Sequence, residues 1–329
     1  MFKIPTILTQ TELLDKAFHR ASKISENQKI RNRVLRKKKQ IISKINTVTD
    51  IIDSTLSKYI SAFPSFDRLH KFEFELVNIT VGIDKLRKAL GSIDWARQQV
   101  RNLGIMIKTE VNQLRGQNEY SKIEQLNRMF YGRVSSIIKQ VGNELDFLNS
   151  ARDRLKKLPN IDPELTTVVV AGYPNVGKSL LVKQISSAKP LVAKYPFTTK
   201  QLNIGHLTIN NHKIQIIDTP GLLDHSPEQR NKIERQAIMA LRYLADLIIF
   251  ILDPSEHCGY IIDEQNKLLT EIKALFNDVQ IIEIENKIDL FRPTSERLKI
   301  SALDGQGLDE ILLLIEDSIS SNQSNPLII

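Results

Sequence analysis

The sequence predicts an α/β domain with a doubly wound, mostly parallel sheet, preceded by an all-α helical bundle. Three observations predict it. Apolar residues recur every three or four positions through the first half of the 329-residue chain, the period of helices packed on one face. Beyond residues 158–163 the pattern changes to short β-branched runs alternating with amphipathic stretches, the signature of strands and crossover helices. The charge divides at the same place. Residues 1–163 carry 30 Lys+Arg against 17 Asp+Glu, and residues 164–329 carry 16 against 21, balances of +13 and −5 within a net +8. Halves of opposite sign point to a basic module for a polyanionic partner, joined to a domain with a different task.

Composition excludes several classes. At 26% charged and 41% hydrophobic residues the chain is too apolar for a disordered tail. The single cysteine, Cys258, rules out an internal disulfide or a multi-cysteine metal site and suits a reducing cytosol. The longest apolar run, 247–252, is strand-sized, far below the roughly 20 residues of a membrane helix. The first twenty residues contain acids too early for a secretory signal.

Each element follows from its pattern. Thr9 with Glu12 three residues later fits a capping box ahead of Leu13, Leu14, Ala17, Phe18, Ala21 and Ile24. A second stripe takes Ile41, Ile45, Val48, Ile52, Leu56 and Tyr59, ended by Pro64. The third runs Leu69, Phe72, Leu76, Ile79, Ile83, Leu86 and Leu90, with Gly91 expected to close it. The fourth takes Ile93 to Leu114 and stops near Gly116; the fifth runs from Tyr120 to Leu148 and on toward Leu158. Steps averaging about 3.5 residues are the seam of near-parallel packed helices. Two prolines in LPNIDP, 158–163, mark the joint. The expected domains are therefore a basic helical bundle at 1–160, an α/β domain at 161–320 and a polar tail at 321–329. The expected strands are 166–171, 202–209, 212–218, 247–253, 279–284 and 297–301.

Four motifs sit at the ends of these strands. GYPNVGKS at 172–179 matches G-x-x-x-x-G-K-[ST] and follows the strand TTVVVA directly. Its glycines let backbone N–H groups curl around phosphate oxygens, and the next helix adds its N-terminal dipole. Asn175, Val176, Gly177, Lys178, Ser179 and Leu180 are the expected phosphate contacts; Lys178 supplies charge to the outer phosphates and Ser179 a hydroxyl for magnesium. DTPG at 218–221 places the Asp218 carboxylate beside the magnesium and frees the Gly221 N–H for a γ-phosphate. NKID at 286–289 brings Asn286, Lys287 and Asp289; a carboxylate there accepts both the N1–H and the 2-amino group of guanine, a pair of donors adenine lacks. Ser301 and Ala302 fit the loop that meets the guanine carbonyl. Four motifs in this order, each at a strand end, read as a P-loop GTPase that takes GTP or GDP with magnesium.

The mobile elements are less regular. The segment YPFTTK at 195–200 offers Thr198 and Thr199 to complete the magnesium shell when GTP is present. Leu222 follows Gly221, where many GTPases carry a water-orienting glutamine. Leucine can neither position nor polarise water, so slow turnover by the chain alone is expected. Asn175 is the candidate to help hold a potassium ion that substitutes for an arginine finger, as in several GTPases without the glutamine; its alternative role is a hydrogen bond within the loop. His225 is read as a solvated loop histidine.

The chain resembles the Nog family, nucleolar GTP-binding protein 1, in the Obg branch of translation-associated GTPases. The resemblance rests on the FTTK segment with Leu202, Gly205 and His206, on Asn231, Ile233, Glu234, Gln236, Ala237, Ile238, Ala240 and Leu241, and on Ser255, Glu256, Cys258 and Gly259. In the helical half Phe63, Pro64, Asp67, His70, Ala89, Leu90, Gly91 and 158–163 are similar too. The long C-terminal extension of eukaryotic members is missing, as in a short archaeal-type form. The resemblance implies Thr199 rather than Thr198 as the magnesium ligand, with Lys178, Thr199 and Gly221 as the catalytic set. It also implies association with the large ribosomal subunit, through rRNA and ribosomal proteins, during assembly. A cytoplasmic monomer is expected.

The basic run fits that partner. Lys29, Arg31, Arg33, Arg36, Lys37, Lys38 and Lys39 are seven cations in eleven residues, and no Asp or Glu occurs from 27 to 49. The run is expected to project from the bundle or form a solvated end, and to lie along rRNA phosphates. Two rivals remain: an RNA clamp with incidental GTP turnover, and a lipid-bound GTPase, which the lack of aromatic anchors in 29–39 disfavours.

Overall fold

The computed structural model describes residues 3–114, 119–158, 161–187, 189–194, 201–220, 223 and 232–323. They form two compact units, one of Phe2–Arg68 with Val81–Lys156, the other of Leu69–Thr80 with Lys157–Ile329. The second unit thus begins a few residues before the expected joint at 160 and also takes in Leu69–Thr80.

The first unit is helical. Helix α1 (Gln10–Ser22) opens with the expected capping box: Thr9 N–H donates to Glu12 Oε2 at 2.8 Å, and Glu12 N–H to Thr9 Oγ1 at 3.3 Å. Helix α2 (Arg33–Ala62) starts eight residues ahead of its apolar stripe, at Asn32, whose side chain accepts from Leu35 N–H at 3.0 Å. Every residue of that stripe is buried.

The third stripe, whose first part (Leu69–Thr80) belongs to the second unit, departs from expectation. It is two helices, α3 (Lys71–Val81) and α4 (Ile83–Gln113), divided at Gly82 with φ +80°, while α4 continues through Gly91. With ψ +112° this positive φ lies outside the left-handed helical region, in backbone that glycine adopts far more readily than residues with a Cβ, so Gly82 can break the helix. Gly91 has nothing within 4 Å of where a Cβ would be; on an open helix face glycine costs only about 1 kcal/mol against alanine. The fifth stripe also divides, into α5 (Tyr120–Gln140) and α6 (Gly142–Leu155). A Cβ on Gly142 would overlap the amide end of the Gln10 side chain, which would have to turn aside.

The second unit is built on a seven-stranded sheet: β1 (Thr166–Ala171), β2 (Leu191–Lys194), β3 (Gln201–Ile209), β4 (His212–Asp218), β5 (Leu247–Leu252), β6 (Gln280–Glu285) and β7 (Leu298–Lys299), in the order β2-β3-β4-β1-β5-β6-β7. Six of these are the expected strands; β2 was not expected. The pairs β4–β1, β1–β5, β5–β6 and β6–β7 are parallel, whereas β2–β3 and β3–β4 are antiparallel. Helices α7 (Lys178–Ile185), α8 (Lys232–Arg242), α9 (Ile262–Leu275) and α10 (Leu308–Gln323) complete the order. Val168, Val170, Ile249, Ile251, Leu181 and Ile315 share one core beneath the sheet. Because β1, β4, β5, β6 and β7 run the same way, the loops that follow them lie along one edge, the place where open α/β sheets bind ligands.

Candidate nucleotide-binding site

The loop between β1 and α7 has the conformation a phosphate cradle needs. Gly172, Asn175 and Gly177 have φ of +136°, +63° and +106°. A Cβ on Gly172 would run into the Ile251 carbonyl and one on Gly177 into the Asn286 amide, so both positions require glycine. Lys178 is buried, and its ammonium donates to the Gly172 and Tyr173 carbonyls at 2.7 and 2.8 Å. The Ser179 hydroxyl donates to Oδ2 of the fully buried Asp218 at the end of β4. A hydroxyl and a carboxylate oxygen side by side are hard donors that suit magnesium, which takes few protein ligands and keeps phosphate and water in the rest of its shell. Among the described residues no cluster of three or more His, Cys, Asp or Glu offers another metal site.

The other end of the site is assembled by Asn286. Its Nδ2 donates to the Val176 carbonyl at 2.8 Å, and its Oδ1 accepts from Ala302 N–H at 2.9 Å. One 3% exposed side chain thereby joins the phosphate loop to the 301–302 loop. Asp289 Oδ1 accepts from the Ser301 hydroxyl at 2.9 Å, which holds the carboxylate beside that same loop. Sequence separations of 110 and 16 residues close within one hydrogen-bonded cluster. Among the predicted residues, Asn175, Val176, Gly177, Lys178, Ser179, Leu180 and Asp218 come together at the ends of β1 and β4, and Asn286, Lys287, Asp289, Ser301 and Ala302 at the ends of β6 and β7. Thr198, Thr199, Gly221, Leu222 and His225 lie outside the described residues.

Comparison with known proteins adds to this geometry. Residues 2–162 match the family described as the NOG1 N-terminal helical domain, and residues 167–287 match the one described as 50S ribosome-binding GTPase. The chain is 42% identical over 299 residues to an uncharacterized protein of Methanocaldococcus jannaschii, covering 90% of this chain and 82% of that one. It is 40% identical over 238 residues to nucleolar GTP-binding protein 1 of Drosophila melanogaster, covering 72% of this chain and 36% of that one, and 31% identical over 292 residues to that of Saccharomyces cerevisiae, covering 88% and 44%. The chain belongs to the nucleolar GTP-binding protein 1 family. It is a GTP-binding protein with a helical N-terminal domain followed by a P-loop GTPase domain, and it spans roughly a third to a half of the length of these eukaryotic members.

In this family member the site has supports that the motifs do not name. Lys287, with φ +67°, turns its ammonium to Oδ2 of Asp253 at 2.7 Å. Asp253 follows β5 and is fully buried; burial pushes its pKa up, but Lys287, Ser255 and the Cys258 N–H together outweigh that and hold it below the ordinary value. Gln265 of α9, also fully buried, accepts from Asp253 N–H at 2.7 Å and donates to the Asp253 and Tyr260 carbonyls at 3.0 and 2.9 Å. The Tyr260 ring meets Tyr173 of the phosphate loop at 4.2 Å between centroids. The segment from Ser255 to Tyr260, which carried part of the resemblance, therefore braces both ends of the site.

The basic run differs from its expectation. Lys29, Arg31, Arg33 and Lys39 are exposed, but Arg36, Lys37 and Lys38 are only partly so. Glu26 pairs with Arg36 at 2.8 Å, and Glu124 of α5 pairs with Lys37 at 2.5 Å. Burial would lower the Lys37 pKa; Glu124 and Tyr120 outweigh it and raise it. Lys38 donates to the Leu114 carbonyl at the end of α4, where a helix dipole favours a cation. Arg33 stacks over the Tyr120 ring at 5.0 Å. No acid lies within 27–49, but Glu26, just before it, and Glu124 of α5 supply the counter-charges. Lys29, Arg31 and Lys39 have no ion-pair partner among the described residues, in which no helix is long and apolar enough to cross a membrane.

Proposed function

We propose that this protein hydrolyses GTP to GDP and phosphate and acts as a switch in assembly of the large ribosomal subunit, with its basic helical domain on rRNA. The observation that carries the nucleotide part is the Asn286 link between the phosphate loop and the 301–302 loop, with Asp289 held by Ser301. In this reading Asp289 accepts from guanine N1–H and its 2-amino group, and Ala302 with Ser301 faces the guanine carbonyl. The amides of Asn175, Val176, Gly177, Ser179 and Leu180 cradle the phosphates. Ser179 and Asp218, joined by Thr199 in the GTP state, would hold magnesium, which supplies charge neutralisation between the β- and γ-phosphates.

Lys178 and the Gly221 N–H stabilise charge on the γ-phosphate. Asn175 is proposed to help hold potassium, since Leu222 cannot orient water and Asn175 is an exposed amide on the phosphate loop. The family names support the ribosomal part, because the relatives are named nucleolar and one matching domain family is named for 50S binding. We place the protein in the cytoplasm as a monomer, in contact with rRNA and ribosomal proteins. Turnover measured with and without large subunits tests the switch: stimulation supports it, and equal rates favour an RNA clamp with incidental hydrolysis, a reading that Leu222 keeps open. Crosslinking in the GTP-locked state, followed by sequencing of the bound RNA, tests the rRNA partner; absence of large-subunit rRNA would overturn it.

A further inference from the structure

The phosphate end of the site contains a polar side chain that none of the four motifs includes. Strands β3 and β4 pair with Asn203 directly opposite Asp218. The two-residue turn of Asn210 and Asn211, with φ of +47° and +66°, fixes that register, because positive φ at both central positions makes the type I′ turn whose twist matches the paired strands. Opposed residues of an antiparallel pair project to one face, with Cβ atoms about 4.5–5.5 Å apart. The Asn203 Nδ2 lies 2.7 Å from Asp218 Oδ2 and 3.5 Å from Ser179 Oγ. An ionised carboxylate only accepts hydrogen bonds, so the amide N–H group must face it. Strand β3 begins at Gln201, directly after the 195–200 segment that carries Thr199.

We infer that Asn203 is a positioning residue for the magnesium site: its amide fixes the Asp218 carboxylate and, through it, the ion. This rests on the reading of Ser179 and Asp218 as magnesium ligands. A carboxylate already held by its cross-strand neighbour loses less torsional freedom when a cation arrives than one that turns about its Cβ–Cγ bond. Asn203 also ties the strand leaving the first switch segment to the aspartate of the next motif, so the carboxylate and that strand keep one geometry.

The test is release of a fluorescent GDP analogue from the full-length protein, measured from excess EDTA to millimolar magnesium. Loss of an outer-shell partner typically weakens metal affinity by about 10–100-fold. With Asn203→Leu the magnesium concentration that half-maximally slows release should rise about tenfold or more, while release in EDTA stays within about twofold of wild type. Asn203→Ala, free of any misfit of leucine at a half-buried position, should give the same shift. An unchanged magnesium midpoint in both variants overturns the inference, as does an equal acceleration with and without magnesium, which marks a merely structural role. If wild-type release ignores magnesium altogether, the ligand assignment of Ser179 and Asp218 falls as well.

Discussion

Asn286 offers the sharpest test of how the site is held. Asn286→Ala removes the donor to the Val176 carbonyl and the acceptor for the Ala302 N–H, bonds of 2.8 and 2.9 Å in a place where only 3% of the residue is exposed. Water cannot readily replace either partner. Leaving a buried polar group unpaired costs about 1–3 kcal/mol, so two such groups give roughly 2–6 kcal/mol. At about 4 kcal/mol, with about 2–4 °C per kcal/mol for a domain of this size, Tm should fall by about 8–16 °C. Gln184→Ala is the control: Gln184 also reaches this loop, at the Ala302 carbonyl, but across 3.3 Å from an exposed position, and should cost under about 1 kcal/mol. Thermal unfolding of the nucleotide-free protein, followed by titration with GDP, measures both. GDP affinity should weaken about tenfold in Asn286→Ala, because binding must then order two loops that the side chain ordered before (about 1.4 kcal/mol per factor of ten). A Tm fall no larger than that of Gln184→Ala would refute the reasoning.

Four other outcomes can be measured, two at the nucleotide site and two in the basic run. Asp289→Asn should lose preference for GDP over xanthosine diphosphate, a mismatch of about 1–3 kcal/mol; a competition assay in which wild type and variant rank the two alike would remove Asp289 from the base site. GTP turnover should be faster in potassium than in sodium at equal ionic strength, and Asn175→Ala should abolish the difference; identical rates in both salts, free and subunit-bound, would leave Asn175 with a hydrogen-bonding role only. Reversing Lys29, Arg31 and Lys39 to Glu should weaken binding to large subunits and flatten its salt dependence by about 0.7–0.9 log units for each phosphate that is no longer neutralised, with GTP affinity unchanged. Lys37→Glu, set against Glu124, should instead show its effect in thermal unfolding, and a salt slope altered by Lys37→Glu alone would reverse this division of the run.

What the sequence made legible was local. Short β-branched runs between turn residues marked six strands, and each motif fell at the end of one. The missed strand, β2, is four residues long with Leu191 and Val192 exposed, so it has no alternating pattern to read. Helix breaks were legible only with propensity added to periodicity. Gly82 follows Thr80 and Val81, β-branched residues that favour a helix poorly, whereas Gly91 follows Ala89 and Leu90, which favour it strongly. Spacing alone treats the two glycines alike. The neutralisation of Lys37 could not be read from its neighbours, since Glu124 lies far along the chain. By contrast, the Asn203–Asp218 pair was legible in principle. Two adjacent asparagines at 210–211 between β-rich runs specify a tight hairpin, and counting outward from that turn sets residue 203 against residue 218.

The supports of the site also explain why its two ends form one unit. Val176 and Tyr173 belong to the phosphate loop. The first is held by Asn286, which opens the 286–289 motif, and the second packs on Tyr260. Tyr260 is held through its carbonyl by Gln265, which also grips the backbone of Asp253, and Asp253 takes the ammonium of Lys287. The path therefore leaves the phosphate loop by two routes and meets again at adjacent residues, Asn286 and Lys287. A buried carboxylate such as Asp253 is stable only while its partners stay in place, so displacement of Lys287 would leave a buried charge at the end of β5 with only the Ser255 and Cys258 hydrogen bonds. The closed path makes that displacement costly from either direction. Changes that loosen the 286–289 motif should thus be felt in phosphate binding, even though 110 residues separate Asn286 from Val176 in the loop between β1 and α7.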